Sequence, residues 1–221
     1  MVTTFLNYFS FFDVTATHEM SSKKQMTTNN EQTVINDIIA GNTNAFAVLV
    51  DNYKDMVFTL ALRMLKNREE AEEVSQDSFI KIYKSLSKFK GDSKFSTWVY
   101  RVAYNTCLDR IKKHKRSQTH IPIDVFTERH IKTIDNALDR MEQEERAQAI
   151  QNCLQLLPSE DSFLLTLYYF EEQSLEEISK ITGLAANNVK VKLFRSRKKL
   201  AVIFSQQLEP EIIESYGKAF R

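Results

Sequence analysis

The residues of this sequence best suited to chemistry are cations concentrated in one segment near its C-terminal end. Between Val189 and Val202 there are six cations and no acid: Lys190, Lys192, Arg195, Arg197, Lys198 and Lys199. Asn187 and Asn188 stand just before them. Cations bind phosphates, and side-chain amides pair with base edges in the major groove. The segment predicts contact with duplex DNA, and a solvated cationic helix end is the simpler alternative.

The elements that precede this segment favour the DNA interpretation. Ser174 and Glu177 form an S-x-x-E capping box that opens a short helix. Gly183 marks a turn, and a second helix begins near Ala186. A capped helix, a turn and a cationic helix are typical of a helix-turn-helix, which a solvated helix end alone would not explain. The predicted duplex contacts here are Asn187, Asn188, Lys190, Lys192, Arg195 and Arg197.

A second segment, residues 88–116, interleaves aromatic rings with cations. This composition suits single-stranded DNA, because every base has a face that can stack on a ring. The predicted single-strand contacts are Lys88, Lys90, Asp92, Ser93, Lys94, Ser96, Thr97 and Trp98. Alternatively, Trp98 belongs to the core, and Phe89 and Phe95 only join two helices. The basic end of the same segment, Arg110, Lys112 and Lys113, is assigned to duplex DNA.

The sequence offers no catalytic centre. Cys107 and Cys153 form no CxxC and fall in helical patterns, which predicts buried, unpaired side chains. The four histidines lack metal-site spacing, and the widely separated glycines exclude a Gly-rich phosphate loop. We therefore expect no enzyme activity, no metal and no cofactor.

Composition predicts the fold class. Only 4 glycines and 3 prolines occur in 221 residues, too few for the turns of a sandwich, barrel or doubly wound sheet. Apolar residues spaced for helices run from Gln32 onward. The net charge of +1 means that any DNA argument depends on where charges cluster. We predict an all-α chain with two small helical domains joined by a flexible linker, the second domain containing the helix-turn-helix.

The predicted boundaries follow breaks in the helical pattern. Residues 1–30 are interpreted as a disordered leader that an upstream start codon would explain, and a weak amphipathic membrane contact is the alternative. No segment is long and apolar enough for a membrane span, and we expect a cytoplasmic location. The remaining divisions are a first domain at 31–116, a linker at 117–133, a second domain at 134–205 and a tail at 206–221.

Four segments, in order, resemble bacterial RNA polymerase sigma factors of the sigma-70 family, extracytoplasmic-function group. Residues 67–79 (NREEAEEVSQDSF) resemble the polymerase-binding helix, and residues 89–105 (FKGDSKFSTWVYRVAYN) resemble the promoter-melting segment. Leu157-Pro158 with residues 168–171 (YYFE) resembles the opening of the second domain, and residues 183–197 resemble the recognition helix.

The resemblance implies a protein that binds core RNA polymerase, recognises two promoter elements and opens the duplex between them. Its partners would be core polymerase and promoter DNA, with an anti-sigma factor left open and no small-molecule substrate or stable membrane insertion. Without the resemblance, the acids of residues 69–83 suggest only a solvated helix face. With it, the polymerase contacts would be Glu72, Glu73, Gln76, Asp77 and Phe79.

The sequence departs from the family pattern at the recognition helix. Asn187 and Asn188 stand where many relatives have a small residue and a threonine, so the preferred distal element is expected to differ. Val191 occupies a commonly polar position and is therefore not among the expected base contacts.

Three other functions compete with this reading of the residues. A dimeric helix-turn-helix regulator explains residues 174–199 but leaves residues 69–79 and 89–98 unused, and copurification with core polymerase would distinguish it. A helical enzyme lacks any visible nucleophile–base pair. A protein-interaction scaffold would be favoured if the chain shifted no DNA at low salt.

Overall fold

The computed structural model describes residues 28–114 and 143–207, and within these ranges the regular structure is helical. This confirms the predicted all-α class. The predicted linker, most of the leader and residues 208–221 lie outside the described residues, so the domain boundaries remain a prediction. The helices are α1 Thr28–Ile39, α2 Phe46–Leu65, α3 Arg68–Ser85, α4 Phe95–Lys113, α5 Gln143–Leu156, α6 Ser159–Tyr169, α7 Leu175–Thr182 and α8 Ala186–Gln207.

The chain divides into two compact units. Among the described residues, the first comprises residues 28–114 and 176–184, and the second comprises residues 143–175 and 185–207. Thus α1 to α4 and nearly all of α7 belong to the first unit, while α5, α6 and α8 belong to the second. Within the described ranges, no helix is both long and apolar enough to cross a membrane.

A tight reversal between α2 and α3 organises the first unit. Lys66 takes a left-handed conformation (φ 56°), and its N–H donates to the Leu62 carbonyl, which ends α2. Asn67 is extended, and its side chain accepts a 2.8 Å hydrogen bond from the Glu70 N–H, which caps α3. Two residues therefore suffice to turn the chain, and α2, α3 and α4 pack against one another. Their core includes Leu49, Val57, Leu60, Met64, Val74, Ile82, Val99 and Cys107.

The second unit is built by packing α8 on α6 and α5. Helical spacing predicts that Val189, Leu193, Leu200 and Ile203 lie on the inward side of α8, and all four are buried. The cysteine prediction is also confirmed: Cys107 and Cys153 are free and buried. Burial raises the pKa of each thiol to about 12, which keeps both thiols protonated at neutral pH.

Candidate nucleic-acid and protein interfaces

The outward side of α8 forms a continuous strip, because residues three and four apart share a helix face. The helix contains no Asp or Glu, so nothing on α8 itself opposes the approach of phosphates. Four of the predicted duplex contacts lie together here. The α8 strip consists of the exposed residues Asn187, Asn188, Lys190, Val191, Phe194 and Arg195.

Two other predicted duplex contacts have partners inside the second unit. The Lys192 ammonium lies 2.9 Å from the Glu160 carboxylate. The Arg197 guanidinium lies over the rings of Tyr168 and Tyr169, 5.6 and 5.4 Å from their centroids. These cations attach α8 to the α6 segment and flank the strip.

A buried contact fixes the rotation of α8. The Ser196 side chain is 0% exposed, and its hydroxyl donates a 2.6 Å hydrogen bond to Asp161 Oδ1. The Lys199 ammonium donates to the other Asp161 oxygen at 2.6 Å. Because Asp161 lies in the first turn of α6, these bonds determine which face of α8 points outward.

The predicted strand-opening segment is a loop between a 3-10 turn (Leu86–Lys88) and α4. The chain turns at Gly91, where φ is +77°, a conformation that glycine adopts without steric cost. Ser93, Ser96 and Trp98 are partly buried. The exposed side chains that the loop brings together are Lys88, Lys90, Asp92 and Lys94.

The aromatic residues of this segment pack on one another. The ring centroids of Phe89, Phe95 and Trp98 are 5.2 to 5.6 Å apart. Phe95 is only 2% exposed and Thr97 only 1%. The rings therefore join the loop to α4, as the alternative interpretation expected for Phe89 and Phe95, and Thr97 is not at the surface.

Two polar contacts connect this loop to α7 within the first unit. The Lys94 ammonium lies 2.8 Å from the Glu177 carboxylate, which is 19% exposed. The Lys180 ammonium donates to the Asp92 carbonyl at 3.3 Å. Lys94 and the Asp92 backbone are thus engaged by α7.

The outward face of α3 combines acids with apolar residues. Glu72, Glu73, Gln76 and Asp77 are exposed, and Phe79 is partly buried. Sequence reasoning missed Ile80 and Tyr83, which are 51% and 41% exposed and continue the same face. The available signal was helical spacing, since Ile80 follows Gln76 by four residues and Tyr83 follows Ile80 by three.

One predicted DNA contact instead pairs with this acidic helix. The Arg110 guanidinium lies 2.8 Å from Glu73 and 3.8 Å from Asp77, and its side chain is 19% exposed. The hydrogen bond with Glu73 raises the pKa of Arg110. Lys112 and Lys113 are exposed on the next turn. Arg110 thus belongs to the contact between α3 and α4.

In the described part of the chain, no group of three or more His, Cys, Asp or Glu side chains is arranged to hold a metal ion. The surfaces defined above consist of amides, cations, acids and apolar side chains. Such groups bind macromolecules through hydrogen bonds, ion pairs and buried area.

Two regions of one known family match this chain. The Sigma-70 region 2 model matches residues 49–117, and the Sigma-70 region 4 model matches residues 147–200. The ECF RNA polymerase sigma factor SigW of Bacillus subtilis (strain 168) is 34% identical over 173 residues, which cover 75% of this chain and 92% of SigW. The chain belongs to the ECF group of sigma-70 factors. Sigma factors bind core RNA polymerase and promoter DNA, so the predicted role in transcription initiation is confirmed.

Another relative agrees with this membership, and two solved structures share the fold. The RNA polymerase sigma-H factor of Pseudomonas aeruginosa is 30% identical to this ECF chain over 179 residues, covering 78% of the chain and 92% of the relative. The structure of CnrH in complex with the cytosolic domain of CnrY shares the fold, with a TM-score of 0.52, 18% identity, and 79% and 96% of the two chains covered. The structure of RpoE in complex with the anti-sigma factor NepR from Bartonella quintana shares the fold with a TM-score of 0.51 and 16% identity. The match covers 73% of this chain and 98% of RpoE.

Proposed function

We propose that the three surfaces divide the work of initiation. The outward face of α3 binds core polymerase, the loop before α4 contacts the opened promoter strand, and the α8 strip reads the distal element as duplex. The protein acts without catalytic chemistry of its own, in the cytoplasm where its polymerase works. The α8 strip carries this proposal, because its exposed amides and cations lie together on a helix without acids.

The proposed polymerase contact rests on the composition of the α3 face. Four polar residues, Glu72, Glu73, Gln76 and Asp77, provide charge and hydrogen bonding, while Ile80 provides exposed apolar area beside them. Protein interfaces place such an apolar centre within a polar rim. Phe79 is partly buried and supports this face from beneath.

The decisive experiment combines run-off transcription with a polymerase pull-down. Core polymerase with this chain is expected to start transcription at defined sites on genomic fragments, and neither component is expected to do so alone. Asp77→Lys and Gln76→Ala should each weaken polymerase binding about tenfold, or about 1.4 kcal/mol. Both variants should remain folded, and Gln76→Ala should keep the wild-type melting temperature. Asp37→Lys is the matched control, because Asp37 is an exposed acid on α1. Unchanged affinity of both α3 variants would remove this assignment.

We also propose an anti-sigma factor as a further partner. Support comes from RpoE, whose structure was solved in complex with the anti-sigma factor NepR and shares this fold. A partner of this kind would compete with polymerase or DNA for the same surfaces. A competition assay with purified core polymerase would test any candidate partner.

A further inference from the structure

The α8 strip contains two large apolar side chains that its DNA-binding role has not yet used. Val191 is 49% exposed and Phe194 is 46% exposed. They lie three residues apart, and with Asn187 and Lys198 they follow a 4-3-4 spacing along one helix face. Apolar residues at the centre of a surface that otherwise attracts phosphates call for an apolar partner on the nucleic acid.

Duplex DNA offers one such partner. Among the groups that base pairs present in the major groove, the C5 methyl of thymine is the apolar one, and the others are hydrogen-bond donors and acceptors. The phosphates beside it would complement the cations that flank the pair, Lys190, Arg195 and Lys198. One duplex would thus complement both the apolar pair and the cations beside it.

Position on the helix selects Val191 over its neighbour. Recognition helices contact base edges with their N-terminal residues, and Val191 lies in the second turn of α8, one turn after Asn187. Phe194 lies further along, and the Lys198 ammonium sits 4.9 Å from its ring centroid. The ring of Phe194 is therefore already partly covered, while Val191 faces outward.

We propose that Val191 is a specificity-determining residue that reads thymine in the distal promoter element through its C5 methyl group. The inference rests on the proposed function of α8 as the duplex reader. From the sequence, Val191 is not an expected base contact, because relatives commonly have a polar residue at this position. The proposal reverses that expectation. Position 191 instead exchanges a hydrogen-bonding readout for an apolar one.

Deoxyuridine tests this directly, because it keeps every hydrogen bond of thymine and lacks only the methyl group. The holoenzyme, core polymerase with the full chain, is titrated against its mapped promoter with single thymines of the distal element replaced by deoxyuridine. Replacement at one thymine should weaken wild-type binding about fourfold, equivalent to about 0.8 kcal/mol, the contribution of one buried methyl-sized group.

The variants assign that effect to Val191. Val191→Ala should bind the thymine promoter about fourfold more weakly than wild type and should no longer distinguish deoxyuridine from thymine. Because Val191 is exposed, its truncation should leave the melting temperature unchanged. Lys190→Ala is the matched control, since it should weaken both promoters alike and keep the fourfold ratio.

Three results would overturn the inference while leaving the proposed function intact. The first is promoter binding that does not change when any thymine of the distal element is replaced by deoxyuridine. A mapped distal element that contains no A·T pair would count in the same way. The second is a methyl effect that persists in Val191→Ala. The third is a loss of core polymerase affinity, rather than DNA affinity, in Val191→Ala. If the holoenzyme binds no promoter at all, the proposed function fails as well.

Discussion

Glu31 and Tyr53 form a residue pair in which a carboxylate loses part of its hydration. The Tyr53 hydroxyl donates a hydrogen bond to Glu31 Oε1, across 22 positions of sequence. Burial raises the pKa of Glu31, and the hydrogen bond from Tyr53 opposes that rise. Burial, together with the negative charge of Glu31, also raises the pKa of Tyr53. The pair attaches α1 to α2 and at neutral pH leaves a charge partly desolvated.

Removing this charge should stabilise the protein at neutral pH. The folded state holds the Glu31 proton more tightly than the unfolded chain, so this carboxyl favours folding most below its ordinary pKa, and its contribution falls as pH rises. Glu31→Gln keeps an acceptor for Tyr53 without the charge. We expect a higher melting temperature than wild type at pH 7 and a smaller difference near pH 4. Asp37→Asn on the same helix is the control, and a Glu31→Gln variant less stable at pH 7 would contradict the assignment.

For α8, the sequence pattern predicts which side chains are exposed better than it predicts which of them have partners. Asn188 and Lys190 are exposed as expected because helical spacing places them opposite the buried Val189 and Leu193. The local pattern does not distinguish Arg197 from these residues. Its guanidinium packs on the rings of Tyr168 and Tyr169, which lie almost thirty residues earlier in the chain. Local periodicity tells which face a residue is on, but a partner from a distant helix is visible only after folding.

At the scale of helices, α3 and α4 are joined by a series of ionic contacts. Glu73 and Asp77 meet Arg110, and at 3.6 Å the Lys81 ammonium meets Asp109. The start of α3 at Arg68 is readable from the sequence, because the Asn67 cap and the acids after it are local signals. The ionic contacts were not predictable, since they join residues up to 37 positions apart.

Arg110 therefore offers a test between a structural and a DNA-binding role. Arg110→Ala should lower the stability of the first unit by about 0.5–1 kcal/mol, as for a partly exposed ion pair, and Arg110→Lys should restore part of it. Lys112→Ala, in the same last turn of α4, should leave stability unchanged. Thermal melts measure both effects. A normal melting temperature for Arg110→Ala, with a salt slope of DNA binding reduced by about one unit, would instead place Arg110 on duplex DNA.

For the molecule as a whole, promoter opening requires chemically different surfaces. A strip such as that on α8 reads base pairs that remain stacked, whereas taking a base out of the stack costs a few kcal/mol. Contacts with the unpaired strand offset that cost, and they need exposed polar groups. In the proposed function, the loop before α4 offers them through the exposed side chains of Lys90, Asp92 and Lys94.

A promoter that is already melted separates this role from a simple connection between helices. Replacing Lys90, Asp92 and Lys94 by alanine should slow opening of duplex promoter at least about tenfold, or about 1.4 kcal/mol, while transcription from a pre-melted bubble changes little. Asp51 and Lys54, replaced together by alanine, remove one charge of each sign elsewhere in the unit and should affect neither template. Permanganate reactivity of thymines near the start site reports opening directly. Because the aromatic cluster of Phe89, Phe95 and Trp98 stays intact in the loop variant, wild-type reactivity there would mean that the loop only connects helices.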